Sequence, residues 1–258
     1  MTPEPFVVER FDEIDSTNSY LMDRSRAGAP SGLVAVADFQ TAGRGRLDRR
    51  WEAPAGSCLL TSILLRAPLD HASMHLATGA VALSAVAAIE QLASRGPGIK
   101  WPNDLVFETA KVAGVLAEID PTPHNELPGT IGVVVGIGIN LTWPGPPGVG
   151  GTSIKEATGV EVGRDALLKA LLVELSSRLV LLGDDEGRAA LNEELLERVA
   201  TIGQRVQVEL ADTQIVGLAS GLSPEGHLIV ETAEGSREVI TGDVVHLRPD
   251  LPGPAQPV

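Results

Sequence analysis

The chain has 258 residues, enough for one sizeable domain or one domain with a small appendage. It is 43% hydrophobic but only 3% aromatic, so its core must be mainly aliphatic. Asp and Glu outnumber Lys and Arg by 34 to 20, giving a formal net charge of −14. That field disfavours nucleic acid and anionic membranes as partners.

Cys58 is the only cysteine, so no intrachain disulfide forms, and a reducing cytoplasm fits. Its neighbours Leu59 and Leu60 make it a core residue rather than a nucleophile. The N-terminal Met1-Thr2-Pro3-Glu4-Pro5 carries no basic segment followed by an apolar run. No stretch is read as reaching the ~18 apolar residues that a membrane helix needs. A soluble, cytoplasmic protein is expected.

In chain order, Phe6 to Phe11 reads as a first strand. Asp15-Ser16-Thr17-Asn18 follows, and Asp15 or Ser16 makes a natural N-cap for a helix ending near Gly28. Capping needs one polar residue, yet four stand in a row. Free N–H groups at a helix start, with hydroxyls beside them, also suit a carboxylate or ureido group. The strand-like run Leu33 to Phe39 leads into Gly43-Arg44-Gly45-Arg46-Leu47-Asp48-Arg49-Arg50-Trp51. Glycine permits close backbone approach, and arginine presents a planar fork of donors to phosphate or carboxylate. Such a loop suits closure over a nucleotide; a solvated turn is the plain alternative.

Cys58 to Leu65 is an apolar run of strand length. Pro68 and Asp70 open a long alanine-rich helix to about Ala93. His71 and His75 stand four apart on it, but with no Glu after His71 and no third ligand they read as exposed helix histidines, not a zinc site. Next come Lys100-Trp101-Pro102-Asn103-Asp104, the strand Leu105 to Phe107, and Lys111 to Glu118. A lysine at the mouth of a buried strand invites desolvation and phosphate contact; an edge lysine blocking strand pairing is the plain reading. Pro121 to Pro128 is a turn-rich connection. Thr130 to Leu141 reads as a deeply buried strand. Its Gly136-Ile137-Gly138-Ile139-Asn140 lacks the third glycine and following helix of a dinucleotide fingerprint, so the glycines are assigned to close packing beside a ligand. Trp143 to Gly151 is a loop; 164–182 and 184–200 read as helices. From about Gly203, short runs of period two separated by turns, including Asp212-Thr213, predict a small antiparallel barrel. The tail from Pro249 is expected to be disordered.

Three clusters thus occur in one order: Ser16-Thr17-Asn18, Gly43-Arg44-Gly45-Arg46 with Trp51, and Lys100-Trp101-Pro102-Asn103-Asp104 followed by Lys111-Val112-Ala113-Gly114. In this the chain resembles the biotin protein ligases over residues 7 to 248. The resemblance implies an α+β fold: a mixed, largely antiparallel sheet with helices on one side, like class II synthetases, and a C-terminal SH3-like β-barrel. The expected division is a catalytic domain over 1–200, the barrel over 201–248 and the tail over 249–258.

The resemblance also implies a two-step reaction. The biotin carboxylate attacks the α-phosphate of ATP, with Mg²⁺, giving biotinyl-5′-AMP and pyrophosphate. A lysine of a biotin carboxyl carrier domain, in acetyl-CoA, acyl-CoA or pyruvate carboxylase, then attacks the mixed anhydride, giving an amide and releasing AMP. Step one joins two anions, so its catalysis is charge neutralisation and positioning. Lys111 and Arg46 are the implied catalytic residues. Ser16, Thr17, Asn18, Gln40, Gly43, Arg44, Lys111 and Gly114 would line the biotin end. Arg46, Arg49, Trp51, Asn103, Asp104, Lys111 and Asn140 would meet ATP. Asp104 would hold the metal, and is also the proposed proton acceptor in step two.

Relatives often carry a glycine where Asp48 stands, so loop closure is expected to differ here. About fifteen residues precede Ser16, too few for the DNA-binding module of some relatives; with the acidic balance, no nucleic-acid role is expected, and a monomer or weak homodimer is. A lipoate or octanoate ligase or transferase on the same fold, or a non-catalytic biotin-binding module, are the alternatives.

Overall fold

A computed structural model describes residues 6–70, 73–122, 130–210, 213–240 and 242–246. His71, the connection from 123 to 129, Asp212 and the tail lie outside the described residues. Seven strands form one mixed sheet: β1 (Val7–Ile14), β2 (Leu33–Gln40), β3 (Cys58–Ala67), β4 (Gly98–Lys100), β5 (Asp104–Phe107), β6 (Ala110–Asp120) and β7 (Ile131–Asn140). Their spatial order is β1-β2-β3-β7-β6-β5-β4. β1 and β2 run parallel; every other neighbouring pair is antiparallel. The longest ladder joins β3 to β7, from Cys58 opposite Asn140 to Ala67 opposite Ile131. Both strands are nearly continuous apolar runs, as strands covered on both faces must be.

α2 (Met74–Ala93), α4 (Arg164–Leu181) and α5 (Asp185–Arg198) share one face, packing over Val34, Val36, Leu59 and Ile63. α1 (Thr17–Arg26) covers the opposite face, where Leu21 and Met22 meet Leu33, Ala35, Leu64 and Val134. Helices are therefore not confined to one side. The reason is visible in β2: Leu33 to Ala37 are all buried, and successive side chains point to opposite faces, so both faces need cover. A short helix, α3 (Ile154–Thr158), capped by Ser153, was not expected from the sequence.

α2 corrects another expectation. By length and mean hydropathy, 1.6, it could cross a membrane. Here it is the central core helix, with 72% of that apolar window buried inside the protein.

Five strands make the second sheet: β8 (Arg205–Glu209), β9 (Gln214–Leu222), β10 (Leu228–Thr232), β11 (Gly235–Val239) and β12 (Asp243–His246), in the order β11-β10-β9-β8-β12. All pairs are antiparallel, and β11 does not bond to β12, so the barrel-like sheet stays open. Val206, Val208 and Ala219 join the same apolar cluster as α2, and Trp101 Nε1 donates to Gly226 O at 3.0 Å. The second sheet is thus packed against the first unit, beside the site described next.

Candidate active site

The Gly-Arg segment folds as a β-hairpin rather than an open loop. Trp51 N donates to Gly43 O, Gly45 N to Arg49 O and Arg49 N to Arg46 O, at 3.0, 2.8 and 3.1 Å. Arg44 bridges to Arg50 across it. At the tip Leu47 and Asp48 both have positive φ, 53° and 58°, the mark of a type I′ hairpin turn. That conformation favours Asn and Gly, and Asp tolerates it better than Leu does.

The hairpin lays Trp51 across β6 and β7. A Cβ added to Gly138 would meet Trp51 Cε2 at 2.5 Å, and one on Gly114 would meet Trp51 Cζ3 at 3.1 Å. Only glycine at 138 admits the indole. Trp51 Nε1 is buried with no hydrogen-bond partner among the described residues. Trp51 separates two cavities. On one side lies a small polar pocket of about 30 Å³; on the other lies a cleft of about 560 Å³, walled by the hairpin, Lys100 to Asp104, the loop from Trp143 and the second sheet.

Around the small pocket the polar side chains form one hydrogen-bonded chain. Thr17 N and Oγ1 donate to Gln40 Oε1 at 2.7 and 3.0 Å. Thr17 Oγ1 lies 2.7 Å from Ser62 Oγ, and Ser62 Oγ donates to Asn18 Oδ1 at 2.6 Å. Asn18 Nδ2 donates to Glu118 Oε2 at 2.8 Å, and Glu118 Oε1 lies 2.9 Å from Arg44 Nη1. Ser16 stands at the pocket edge, but its hydroxyl caps α1 by accepting from Ser19 N. Gly136 is bare because a Cβ there would strike the Asn18 amide.

In the large cleft, Lys111 Nζ lies 2.7 Å from Asp104 Oδ1 and 5.5 Å from the centre of the Trp51 ring, within cation–π reach. Lys111 is pinned by backbone: its N–H donates to Gly150 O, and its carbonyl accepts from Thr152 N. Arg46 Nη1 donates to Asn103 Oδ1 at 3.3 Å, and Asn103 Nδ2 donates to Val115 O at 2.8 Å. Arg49 pairs with Asp243 of β12. Asn140 lines the cleft, but both ends of its amide are engaged: Nδ2 donates to Thr152 O, and Oδ1 accepts from Cys58 Sγ. It serves as a clasp for the loop from Trp143.

Of the expected residues all but Gly43 line one of the two cavities; Gly43 contributes its carbonyl to the hairpin, and Arg49 is turned toward the second sheet. Sequence reasoning missed Ser62, Glu118 and Asp243. Thr61-Ser62, the one uncharged polar pair inside the apolar β3, was a usable signal for the first. The others needed strand register.

A cationic set beside a polar pocket, carried on this mixed sheet, defines a carboxylic-acid-activating ligase site. Residues 10–140 match the Biotin/lipoate A/B protein ligase family, and residues 201–247 match the Biotin protein ligase C terminal domain. The chain belongs to the biotin/lipoate protein ligase family. It is 34% identical to the biotin–[acetyl-CoA-carboxylase] ligase of Mycobacterium tuberculosis over 240 residues, covering 90% of this chain and 86% of that protein. With the ligase of the same name from Paracoccus denitrificans the identity is 30%, covering 89% and 96%. The biotin protein ligase of Aquifex aeolicus, solved in complex with biotin and ATP, superposes with a TM-score of 0.76 at 28% identity, covering 94% and 99%.

Proposed function

We propose that this chain is an ATP-dependent biotin ligase acting on a lysine of a biotin carboxyl carrier domain. The observation that carries the reading is the division of the site by Trp51, with a hydrogen-bonding pocket on one side and a cationic cleft on the other. Biotin's ureido ring, which both donates and accepts, matches the chain from Gln40 to Glu118. A dithiolane ring or an alkyl tail offers no hydrogen bond to that chain, which disfavours lipoate and octanoate.

The pocket beside the seated Trp51 has the volume of roughly one water. Ring entry therefore requires the hairpin to lift Trp51 off Gly138. Reclosure shields the mixed anhydride from water. The unpartnered indole N–H leaves a donor for the ligand or for solvent along that path.

In step one the biotin carboxylate attacks the α-phosphorus and pyrophosphate leaves. Lys111 neutralises the two approaching anions at the junction of the cavities. Arg46, oriented by Asn103, and Arg49 hold the phosphates. Asp104 fits a Mg²⁺, which binds through one or two carboxylates plus phosphate oxygens and would supply further charge neutralisation. In step two the acceptor lysine, with an ordinary pKa near ~10.4, must lose a proton to attack. Asp104, which lines the cleft beside Lys111, is the proposed acceptor. The acceptor is the carrier domain of an acetyl-CoA, acyl-CoA or pyruvate carboxylase.

Pyrophosphate exchange into ATP tests the reading, with biotin, lipoate and octanoate supplied in turn. Exchange with biotin alone is expected. Exchange with lipoate but not biotin refutes it, and exchange with no acid leaves a binding module.

A further inference from the structure

We propose that Glu118 is a positioning residue that sets the hydrogen-bond polarity of the small pocket and thereby its preference for an N–H-bearing acid. The proposal deepens the biotin reading and rests on it. Glu118 stands on β6, and its side chain is only 20% exposed. Its two oxygens meet two different segments: Oε1 faces Arg44 of the hairpin at 2.9 Å, and Oε2 accepts from Asn18 of α1 at 2.8 Å.

An ionised carboxylate can only accept hydrogen bonds. Asn18 must therefore turn its NH₂ toward Glu118, where Nδ2 also reaches Leu116 O at 3.3 Å. Its Oδ1 then faces Ser62, which donates to it at 2.6 Å. The one hydroxyl proton of Ser62 is spent in that bond. Thr17 Oγ1, 2.7 Å from Ser62 Oγ and 3.0 Å from Gln40 Oε1, receives no proton from either neighbour and gives its own to one of them. Its lone pairs are left to the pocket. One charge on β6 thus dictates, through three side chains, that the pocket hydroxyl accepts. A ureido N–H satisfies that acceptor; a dithiolane or an alkyl chain cannot. The same carboxylate holds Arg44, so pocket polarity and hairpin position are set together.

The test uses the full chain. Wild-type pyrophosphate exchange with biotin is measured first, since its absence refutes the functional reading and not this one. Glu118→Gln removes the fixed direction, because a carboxamide can offer either face to Asn18. Its biotin KM is expected to rise about tenfold or more, as loss of a charge-assisted hydrogen bond implies. The kcat should move much less, and the biotin-over-lipoate ratio of kcat/KM should fall. Adding Asn18→Asp to Glu118→Gln restores the direction: a carboxylate at 18 accepts from Ser62 and from the amide at 118. That double variant should regain part of the lost biotin affinity and selectivity. An unchanged KM and selectivity in Glu118→Gln overturns the proposal, as does a double variant no better than the single one. Should thermal unfolding show that Glu118→Gln does not fold, Glu118→Asp carries the test. It keeps an acceptor-only group, so selectivity should survive while KM rises; lost selectivity there overturns the proposal.

Discussion

Lys111 and Asp104 face each other across the pairing of β6 and β5, Nζ 2.7 Å from Oδ1. The pair fixes a lysine of the large cleft and leaves its charge beside the Trp51 ring that divides the two cavities. Lys111→Ala is expected to cut biotinyl-AMP formation by at least ~10²-fold, the scale of losing one charge-stabilising donor. Single-turnover adenylation measures it. Near-wild-type rates would take Lys111 out of the chemistry.

The hairpin tip carries two residues in a conformation that favours glycine. Asp48→Gly should remove strain of about 1 kcal/mol in the closed hairpin. A slower release of preformed biotinyl-AMP is the expected result. Faster release would mean that added freedom outweighs relieved strain.

Gly138→Ala places a methyl where the indole lies. The ring has β-sheet backbone beneath it and must move outward. We expect altered tryptophan fluorescence and faster hydrolytic loss of the anhydride, with secondary structure kept. Unchanged emission and retention would show that Trp51 does not seal the pocket.

Arg49 is held by Asp243 in the wall of the same cleft that Arg46 lines. If Arg49 holds phosphate as proposed, it exchanges that carboxylate for it in step one. Asp243→Asn frees it and removes a negative charge from the cleft wall. The KM for ATP should fall about two- to fivefold, as expected for an exposed ion pair worth at most ~1 kcal/mol. A raised KM would instead make the pair a support for the closed hairpin.

Burial pushes the Cys58 thiol up from 9.0 to about 11. A thiol whose folded pKa is raised stays neutral longer in the native state. Its contribution to stability is complete below the unfolded value and is lost as pH rises from about 9 through about 11. At pH 8 the folded protein should react with a thiol reagent far more slowly than the unfolded chain. Equal rates would contradict the burial.

The sequence by itself determined the ordered clusters and their chemistry. Ser16 to Asn18, the Gly-Arg hairpin, Lys100 to Asp104 and Lys111 are contiguous, and spacing within a few residues shows a cap, a turn or a cation at a strand mouth. Even the strain at Asp48 could be anticipated, because it is a property of one residue in one turn. Tertiary structure decided the rest. Arg44 and Glu118 are 74 positions apart, and only the placement of the hairpin over β6 makes them a pair. Ser62 turns to the pocket because β3 is paired to β7 in one register; a slip of one residue would send it to the opposite face. The helix on the second face, the burial of α2 and the reach of Asp243 into the cleft likewise follow from long-range packing. Local propensity acts over a turn or two, whereas strand register and interhelical contact are set by burying apolar surface across the whole chain.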